Sequence, residues 1–183
     1  MARIRLTEQA AADPTPAAGI GTLYAQTAGQ LNYIDSTGKI SKITATQTND
    51  NAAAGVIGEL VTATAALAAV SLTTAVAVNI TSISLTAGDW DVTGAINFTP
   101  AATTSITILG GGASTTTGTL GAQDTFFQDA TAAQIPTAVV STKVIPTQRI
   151  SIAGTTTVFL VARATFTAST LTGGGTIRAR RIR

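Results

Sequence analysis

The stretch that decides the fold is Val76–Pro100, VAVNITSISLTAGDWDVTGAINFTP. In its second half one parity is apolar and the other is polar, which is the period-2 alternation of a strand with one buried and one solvated face. The apolar parity contains Trp90, Val92, Ile96 and Phe98, and the polar parity contains Asp89, Asp91, Thr93 and Asn97. We therefore predict a strand whose four apolar side chains belong to the structural core, with both aspartates on a solvated face.

The first half of the stretch predicts a second, irregular strand. Its apolar residues keep even parity up to Ile80 and odd parity from Ile83 onward. This change of phase near Thr81–Ser82 predicts a β-bulge. The segment between the two strands, TAGD, is a turn signal because Gly88 tolerates a positive φ.

Short alternating runs separated by turn residues continue on both sides of this stretch. From Val56 onward they number about eight or nine, at the spacing typical of sandwiches and jelly rolls. Outside the central stretch the predicted strands are Val56–Thr64, Ser105–Leu109, Thr115–Leu120, Thr137–Thr142, Arg149–Ala153, Thr156–Phe166 and Thr176–Arg183. The two glycine triplets, at 110–112 and 173–175, are predicted as breaks between strands, and residues 121–136 as a loop. Pro136 and Pro146 are predicted at strand ends, since proline cannot donate to a ladder.

The N-terminal third predicts a different organisation. Residues 1–19 are apolar and interrupted by DPTP at 13–16, which favours an extended arm. Residues 20–54 contain three short runs with glycine turns, which predict a small β-meander and a linker. Residues 55–183 then form the body, so the predicted fold class is all-β: a β-sandwich or jelly roll preceded by an arm and a meander, which the resemblance described below narrows to a jelly-roll-like β-sandwich.

Composition narrows the chemistry. The chain has no Cys and no His, which excludes disulfides, thiolate nucleophiles, imidazole catalysis and the usual zinc sites. Asp89 and Asp91 are the one close acidic pair, and a solvated face explains them better than a cation site or a glycosidase pair. The glycine triplets lack the Lys-Ser/Thr of a phosphate loop. We predict a non-enzymatic protein with no catalytic, cofactor-binding or metal-binding residue.

No apolar run approaches the roughly 20 residues that cross a bilayer, and the first residues lack the apolar segment of a secretory signal. The sequence therefore predicts synthesis in the cytoplasm without membrane insertion.

Charge is sparse and concentrated at the two ends. Charged residues make up 11% and aromatic residues 4% of a chain that is 45% hydrophobic, so exposed apolar patches are expected, and these favour burial in an assembly. Arginines open the chain at 3 and 5 and close it at 178, 180, 181 and 183. Without a basic patch in the body or interleaved aromatics, this pattern favours docking on an acidic protein surface or on neighbouring subunits over binding of nucleic acid. The last strand, IRARRIR, either guards a sheet edge or forms arginine–carboxylate bridges at an interface.

Two stretches resemble virion proteins of tailed bacteriophages. Pro16–Ile43, PAAGIGTLYAQTAGQLNYIDSTGKISKI, is similar to the small β-meander at the start of many phage fibre and virion surface proteins. Gly58–Thr104, with SLTAGDWDV near its centre, resembles a family of small phage structural proteins. The resemblance implies a jelly-roll-like trimer on the particle and carries over no catalytic or binding residue.

We therefore expect a homotrimer on the virion surface, either a capsid decoration (cement) protein or a short head fibre, bound to the major capsid or tail protein. The anchoring residues predicted are Arg3, Arg5, Leu6, Pro14, Pro16, Tyr24 and Tyr33. The alternative is a tail-fibre or baseplate protein that recognises a glycan or protein of the host cell surface through the loops Thr99–Thr103 and Gly121–Ala133.

Overall fold

A computed structural model of the chain describes residues 8–9, 15–26, 30–43, 51–130 and 138–183, and these residues contain no helix. The chain divides into two compact units, Met1–Ile57 and Gly58–Arg183. The first holds β1 (Glu8–Gln9), β2 (Thr22–Gln26), β3 (Gln30–Ile34) and β4 (Ile40–Ile43). The second holds β5 (Leu60–Ser71), β6 (Ala77–Leu85), β7 (Gly88–Pro100), β8 (Ser105–Ser114), β9 (Phe126–Asp129), β10 (Ser141–Ile152), β11 (Thr156–Thr167) and β12 (Leu171–Arg181). The predicted divisions after residues 19 and 54 remain predictions.

The first unit is a four-stranded sheet in the order β1-β2-β3-β4. Strands β2 to β4 pair antiparallel, as the predicted meander requires, and β1 adds a short parallel strand beside β2. The turn between β3 and β4 is closed by Asp35, whose Oδ1 accepts bonds from the Thr37 hydroxyl at 2.6 Å and the Lys39 N–H at 3.0 Å. These bonds, with the Thr37 hydroxyl contributing most, hold the pKa of Asp35 below its usual value.

The second unit is an eight-stranded sandwich of two antiparallel sheets, β10-β7-β12-β5 and β6-β11-β8-β9. Counted within this unit, strands 1, 8, 3 and 6 form one sheet and strands 2, 7, 4 and 5 form the other. This is the strand order of a jelly roll, in which two Greek keys fold over one core. The predicted fold class, an all-β jelly-roll-like sandwich, is confirmed.

The stretch that opened the sequence analysis links the two sheets. Strand β6 lies in one sheet and β7 in the other, so the two residues between them carry the chain across the core. The predicted bulge is confirmed, because Leu160 of β11 pairs with Thr81 while Val161 pairs with Asn79, which leaves Ile80 as the extra residue. The side chains of Trp90, Val92, Ile96 and Phe98 are all fully buried.

The prediction that both glycine triplets are turns is wrong. Gly110–Gly112 lies inside β8 and Gly173–Gly175 inside β12. The physical reason is close packing between the sheets: a Cβ on Gly111 would lie 2.2 Å from Cδ1 of Ile96. Glycine is therefore used here to let two sheets approach, a role that no turn signal reveals.

Several predicted strand bounds are also wrong. Strand β5 begins at Leu60 and runs to Ser71, later than the predicted Val56–Thr64. The predicted strand Thr115–Leu120 is a turn, whereas β9 lies in the predicted loop.

The end of the run predicted at 137–142 and most of the run predicted at 149–153 belong to one strand, β10, with Pro146 in its interior. The register of β10 shifts between Ile145 and Gln148, so the proline sits at a bulge of an edge strand, where its missing N–H is tolerated. Pro136 lies outside the described residues.

The close contact of β12 with β5 gives a stability prediction. Gly174→Ala is expected to lower the free energy of unfolding by about 1–3 kcal/mol, because its Cβ would lie 2.2 Å from the backbone oxygen of Ala66. The matched control is Gly154→Ala, whose Cβ meets no atom within 4 Å. The control is expected to leave stability unchanged or raise it by up to about 1 kcal/mol. Urea denaturation of the two variants measures the difference, and equal losses would contradict it.

Candidate interaction surfaces

One charged side chain, that of Arg181, is built into the end of the core. It is 5% exposed, and its Nε donates to Oε2 of Glu59 at 2.9 Å. Its Nη1 donates to the carbonyl oxygen of Ala87 at 2.7 Å, and its Nη2 donates to the Thr86 hydroxyl. Its Cζ lies 4.3 Å from the ring centroid of Trp90, a cation–π contact. These contacts tie the last strand to the first residues of the body and to the β6–β7 crossing.

The aspartates of the DWD motif occupy different environments. Asp91 is exposed, but Asp89 is 3% exposed and forms ion pairs with Nη2 of Arg149 at 2.6 Å and with Nη2 of Arg183 at 2.8 Å. The prediction that Asp89 lies on a solvated face is therefore wrong. The strand parity is as predicted, but two arginine side chains lie across the carboxylate and exclude water from it.

These partners also set the protonation of Asp89. A hydrogen bond from Ser151, followed by the hydrogen bond from Arg149, holds the pKa of Asp89 below its usual value. A carboxyl group whose pKa is lower in the folded state stabilises the fold above the unfolded pKa, which is about 3.9 for aspartate. That stabilisation is lost as the pH falls through the folded pKa.

Asp89→Asn is accordingly expected to lower the melting temperature at neutral pH, with a difference from the parent that shrinks as the pH falls below about 4. Melting curves recorded from neutral to strongly acidic pH test this. Asp124→Asn, at an exposed turn position, serves as the control and should match the parent throughout. A difference for Asp89→Asn that stays constant over the whole range would contradict the linkage.

Four exposed arginine side chains lie on the outer face of the β10-β7-β12-β5 sheet, at the end that carries Asp89. They are the side chains of Arg149, Arg178, Arg180 and Arg183, which we call the arginine band. Arg180, Asp91 and Arg149 are direct cross-strand neighbours on β12, β7 and β10. Strand β12 is an interior strand of the sheet. The interpretation that IRARRIR guards an edge is therefore wrong.

The middle of the same outer face is uncharged. We call it the threonine face; it consists of Thr64, Asn97, Thr142, Val144 and Thr176. The hydroxyls of Thr64 and Thr176 lie 3.0 Å apart, and Thr142 Oγ1 donates to Asn97 Oδ1 at 2.7 Å. The side chain of Val144 is 69% exposed. The polar groups of this face thus bond to one another beside an exposed apolar side chain.

The sheet of the first unit has two unlike faces. Tyr24 and Ile34 are each 3% exposed on one face, whereas Leu23 and Tyr33, which pair directly across β2 and β3, are 46% and 40% exposed on the other. Tyr24 is buried within the chain, and its place among the anchoring residues remains a prediction. Tyr33 is accessible, and Pro16 is half-buried. The remaining predicted anchoring residues, Arg3, Arg5, Leu6 and Pro14, lie outside the described residues.

A cleft of about 510 Å³ opens between the segment after β8 and the second half of β10. Its lining is rich in hydroxyl groups, from Ser114, Thr115, Thr116, Thr119, Thr125, Ser151 and Thr156, and also includes Gln148 and Arg149. Part of the predicted loop Gly121–Ala133 borders it, through Gly121, Ala122 and Thr125. The other predicted loop, Thr99–Thr103, begins inside β7 and does not reach the cleft.

Glu59 and Arg181 were not singled out by any local motif, since they lie 122 positions apart. Strand parity does carry a signal, because Arg181 shares the parity of the buried Ile177 and Ala179, whereas Arg178 and Arg180 take the other. Across the described ranges, no group of three or more His, Cys, Asp or Glu side chains is placed to hold a metal ion. No helix long and apolar enough to cross a membrane occurs in the described segments.

No family model and no curated protein matches the sequence. Among solved structures, one of infectious bursal disease virus, Gx strain, is similar over 84% of this chain and 43% of that chain, with 11% sequence identity and a TM-score of 0.43. The chain thus spans less than half the length of that matched chain.

Proposed function

We propose that this chain is a non-enzymatic structural protein of a tailed-bacteriophage virion. In this proposal it is a homotrimeric capsid decoration (cement) or short head-fibre protein, held on the particle by its N-terminal region. The sequence resemblance over Pro16–Ile43 and Gly58–Thr104 suggests the setting, and the fold and surfaces of the described residues support the structural role.

The observation that carries the proposal is the threonine face. Covering polar groups is costly only when it leaves them without partners, and here Thr64 and Thr176 bond to each other while Thr142 bonds to Asn97. Covering Val144, which is 69% exposed, stabilises a contact by about 25 cal/mol for each Å² of apolar surface removed from water. Sister subunits that pack on this face would gain that energy while covering polar groups that are already bonded to one another.

The first unit supports anchoring through its own exposed face. Leu23 and Tyr33 form a cross-strand apolar pair on a sheet of very short strands. Such a sheet gains stability when a partner covers it. Three copies in one trimer would bind the particle through three linked contacts, which raises avidity without any new type of contact.

Deletion of Met1–Gly19 tests the anchoring. The truncated protein is expected to leave particles undecorated while its sandwich still unfolds cooperatively. Occupancy is measured by gel densitometry of purified particles, with Leu23→Ser as a second variant that changes the exposed pair alone. Full occupancy by the truncated protein would contradict anchoring by this region.

A second candidate function is favoured by the hydroxyl-rich cleft. Receptor-binding modules read glycans through hydroxyl, amide and arginine groups, and the cleft offers all three. This reading assigns the chain to a tail fibre or baseplate that recognises the host surface. Binding of the purified chain to host cells, lost in Gln148→Ala, would favour it over the decoration protein.

A further inference from the structure

We propose that the arginine band is a docking surface for an acidic segment of another protein, namely the shell protein to which this chain is anchored. The inference rests on the proposed function and deepens it. It assigns a second contact to the particle, made by the body and separate from the N-terminal unit.

The geometry of the band suits recognition of several carboxylates at once. Arg180 and Arg149 are two strands apart in one cross-strand row, a separation of about 10 Å. Arg178 lies two residues along β12 from Arg180, which is about 7 Å. The side chains of Arg149 and Arg183 are 56% and 74% exposed. A single acidic loop or helix end of a partner would span this area.

Two members of the band are held in place before any partner arrives. Asp89 accepts one Nη of Arg149 and one Nη of Arg183, at 2.6 and 2.8 Å. A guanidinium group has five N–H donors, so each arginine retains donors for a bidentate carboxylate pair. Because their rotamers are already restricted, less entropy is lost on binding than for free surface arginines.

The body of a second copy of this chain is a poor occupant. The body contains five carboxylates, and three of them are committed: Glu59 to Arg181, Asp89 to two arginines and Asp129 to Lys143. The other two are Asp124 and Asp91, and Asp91 lies inside the band itself. Single-stranded nucleic acid is disfavoured for a different reason, the absence, among the described residues, of exposed aromatic side chains beside these arginines. No aromatic side chain of the row is available for stacking, because Trp90 is fully buried.

The band also lies where the chain enters the body. The Gly58 N–H donates to the carbonyl oxygen of Arg181 at 2.9 Å, and the Arg181 N–H donates to the carbonyl oxygen of Glu59 at 2.9 Å. Residue 58 follows directly on the first unit in the chain, so anchoring of that unit tethers the body to the same particle. The tether raises the effective concentration of the band at its target.

The test uses the full-length chain and particles that lack it. Purified parent and variants are added back, and bound protein is measured against concentration at low salt and at about 0.5 M NaCl. Arg178→Glu reverses one charge of the band among neutral cross-strand neighbours, Thr93 and Thr62. The matched control is Arg163→Glu, an exposed central-strand position of the other sheet, beside Gly110 and Ala77.

We expect Arg178→Glu to weaken binding by about tenfold or more at low salt and to reduce the salt dependence, with the control within about twofold of the parent. Equal binding by the two variants, with both melting like the parent, would overturn the docking role and leave the proposed function standing. A parent that fails to bind the particles would overturn both proposals. Tight binding of duplex DNA by the parent, abolished in Arg178→Glu alone, would identify nucleic acid as the occupant and also overturn the inference.

Discussion

Trp90→Ala is expected to lower the free energy of unfolding by about 3–5 kcal/mol, the range for truncating a buried aromatic residue. The indole is fully buried at the β6–β7 crossing, and its Nε1 donates to the carbonyl oxygen of Thr86 at 3.0 Å. Its ring also faces the guanidinium of Arg181, so the substitution removes a cation–π partner as well as a large apolar surface. Equilibrium unfolding in urea, followed by far-ultraviolet circular dichroism, measures the loss.

Trp90→Phe is the matched control for this prediction. Phenylalanine keeps an aromatic face beneath Arg181 but loses the hydrogen bond to Thr86 and part of the volume. Its loss is therefore expected to lie between those of the parent and Trp90→Ala. If Trp90→Ala lost less than about 1 kcal/mol, the indole would not be the residue that joins the two sheets at this end.

Glu59→Gln is expected to destabilise the body by an amount that approaches the 3–5 kcal/mol typical of breaking a buried ion pair. The reason is that Arg181, at 5% exposed, would keep its charge inside the protein without a carboxylate. The bonds from Arg181 to Ala87 and Thr86 remain and place the loss toward the lower end of that range. Chemical denaturation of parent and variant gives the difference.

Two further variants separate a buried charge from a general loss of surface charge. Asp91→Asn removes an exposed carboxylate on the outer face of the sheet, opposite to the buried pair, and is expected to change stability by no more than about 0.5 kcal/mol. Glu59→Gln combined with Arg181→Met removes both charges and is expected to recover much of the loss, since a hydrophobic replacement of a buried pair is often neutral. If Glu59→Gln were as stable as Asp91→Asn, the prediction would be contradicted, because the buried charge of Arg181 would then be compensated by groups other than Glu59.

The alternation in Val76–Pro100 was enough to predict the parts of the fold that depend on burial of one strand face. Trp90, Val92, Ile96 and Phe98 point to the core because the core lies on one side of β7 along its whole length. The bulge near Thr81 could be predicted for the same reason, since the chain must change phase to keep Ile80 and Ile83 both buried. Periodicity is reliable where a single strand meets a single core.

The wrong predictions arise where two distant strands determine the outcome together. Runs of glycine usually mark turns. Gly111 and Gly174 lie inside strands instead, because the Ile96 side chain and the Ala66 backbone leave no room for a Cβ at these two positions. Pro146 interrupts the strand pattern in the sequence, but β10 continues through it because an edge strand can accommodate proline at a bulge. These tertiary contacts override local propensity, and no local window contains them.

For the candidate surfaces too, the sequence predicts the residue types but not their arrangement. The abundance of threonine and the terminal arginines are visible in composition, but their sorting into a threonine face and an arginine band depends on strand order. The burial of Asp89 shows this most clearly. Its parity predicts solvent, yet Arg149 and Arg183 reach it from β10 and from the end of the chain. Long side chains from neighbouring strands can cover an outward-facing carboxylate, and the alternation within a single strand contains no information about them.

The proposed trimer requires that sister subunits cover the threonine face of this charge-poor sandwich. Sedimentation equilibrium of the purified full-length chain over a wide range of concentrations tests it most directly. We expect a mass of three chains that persists on dilution and shifts toward one chain in Val144→Lys, which places a charge on that face. A parent protein that remains a single 18.3 kDa chain at the highest concentration would contradict it.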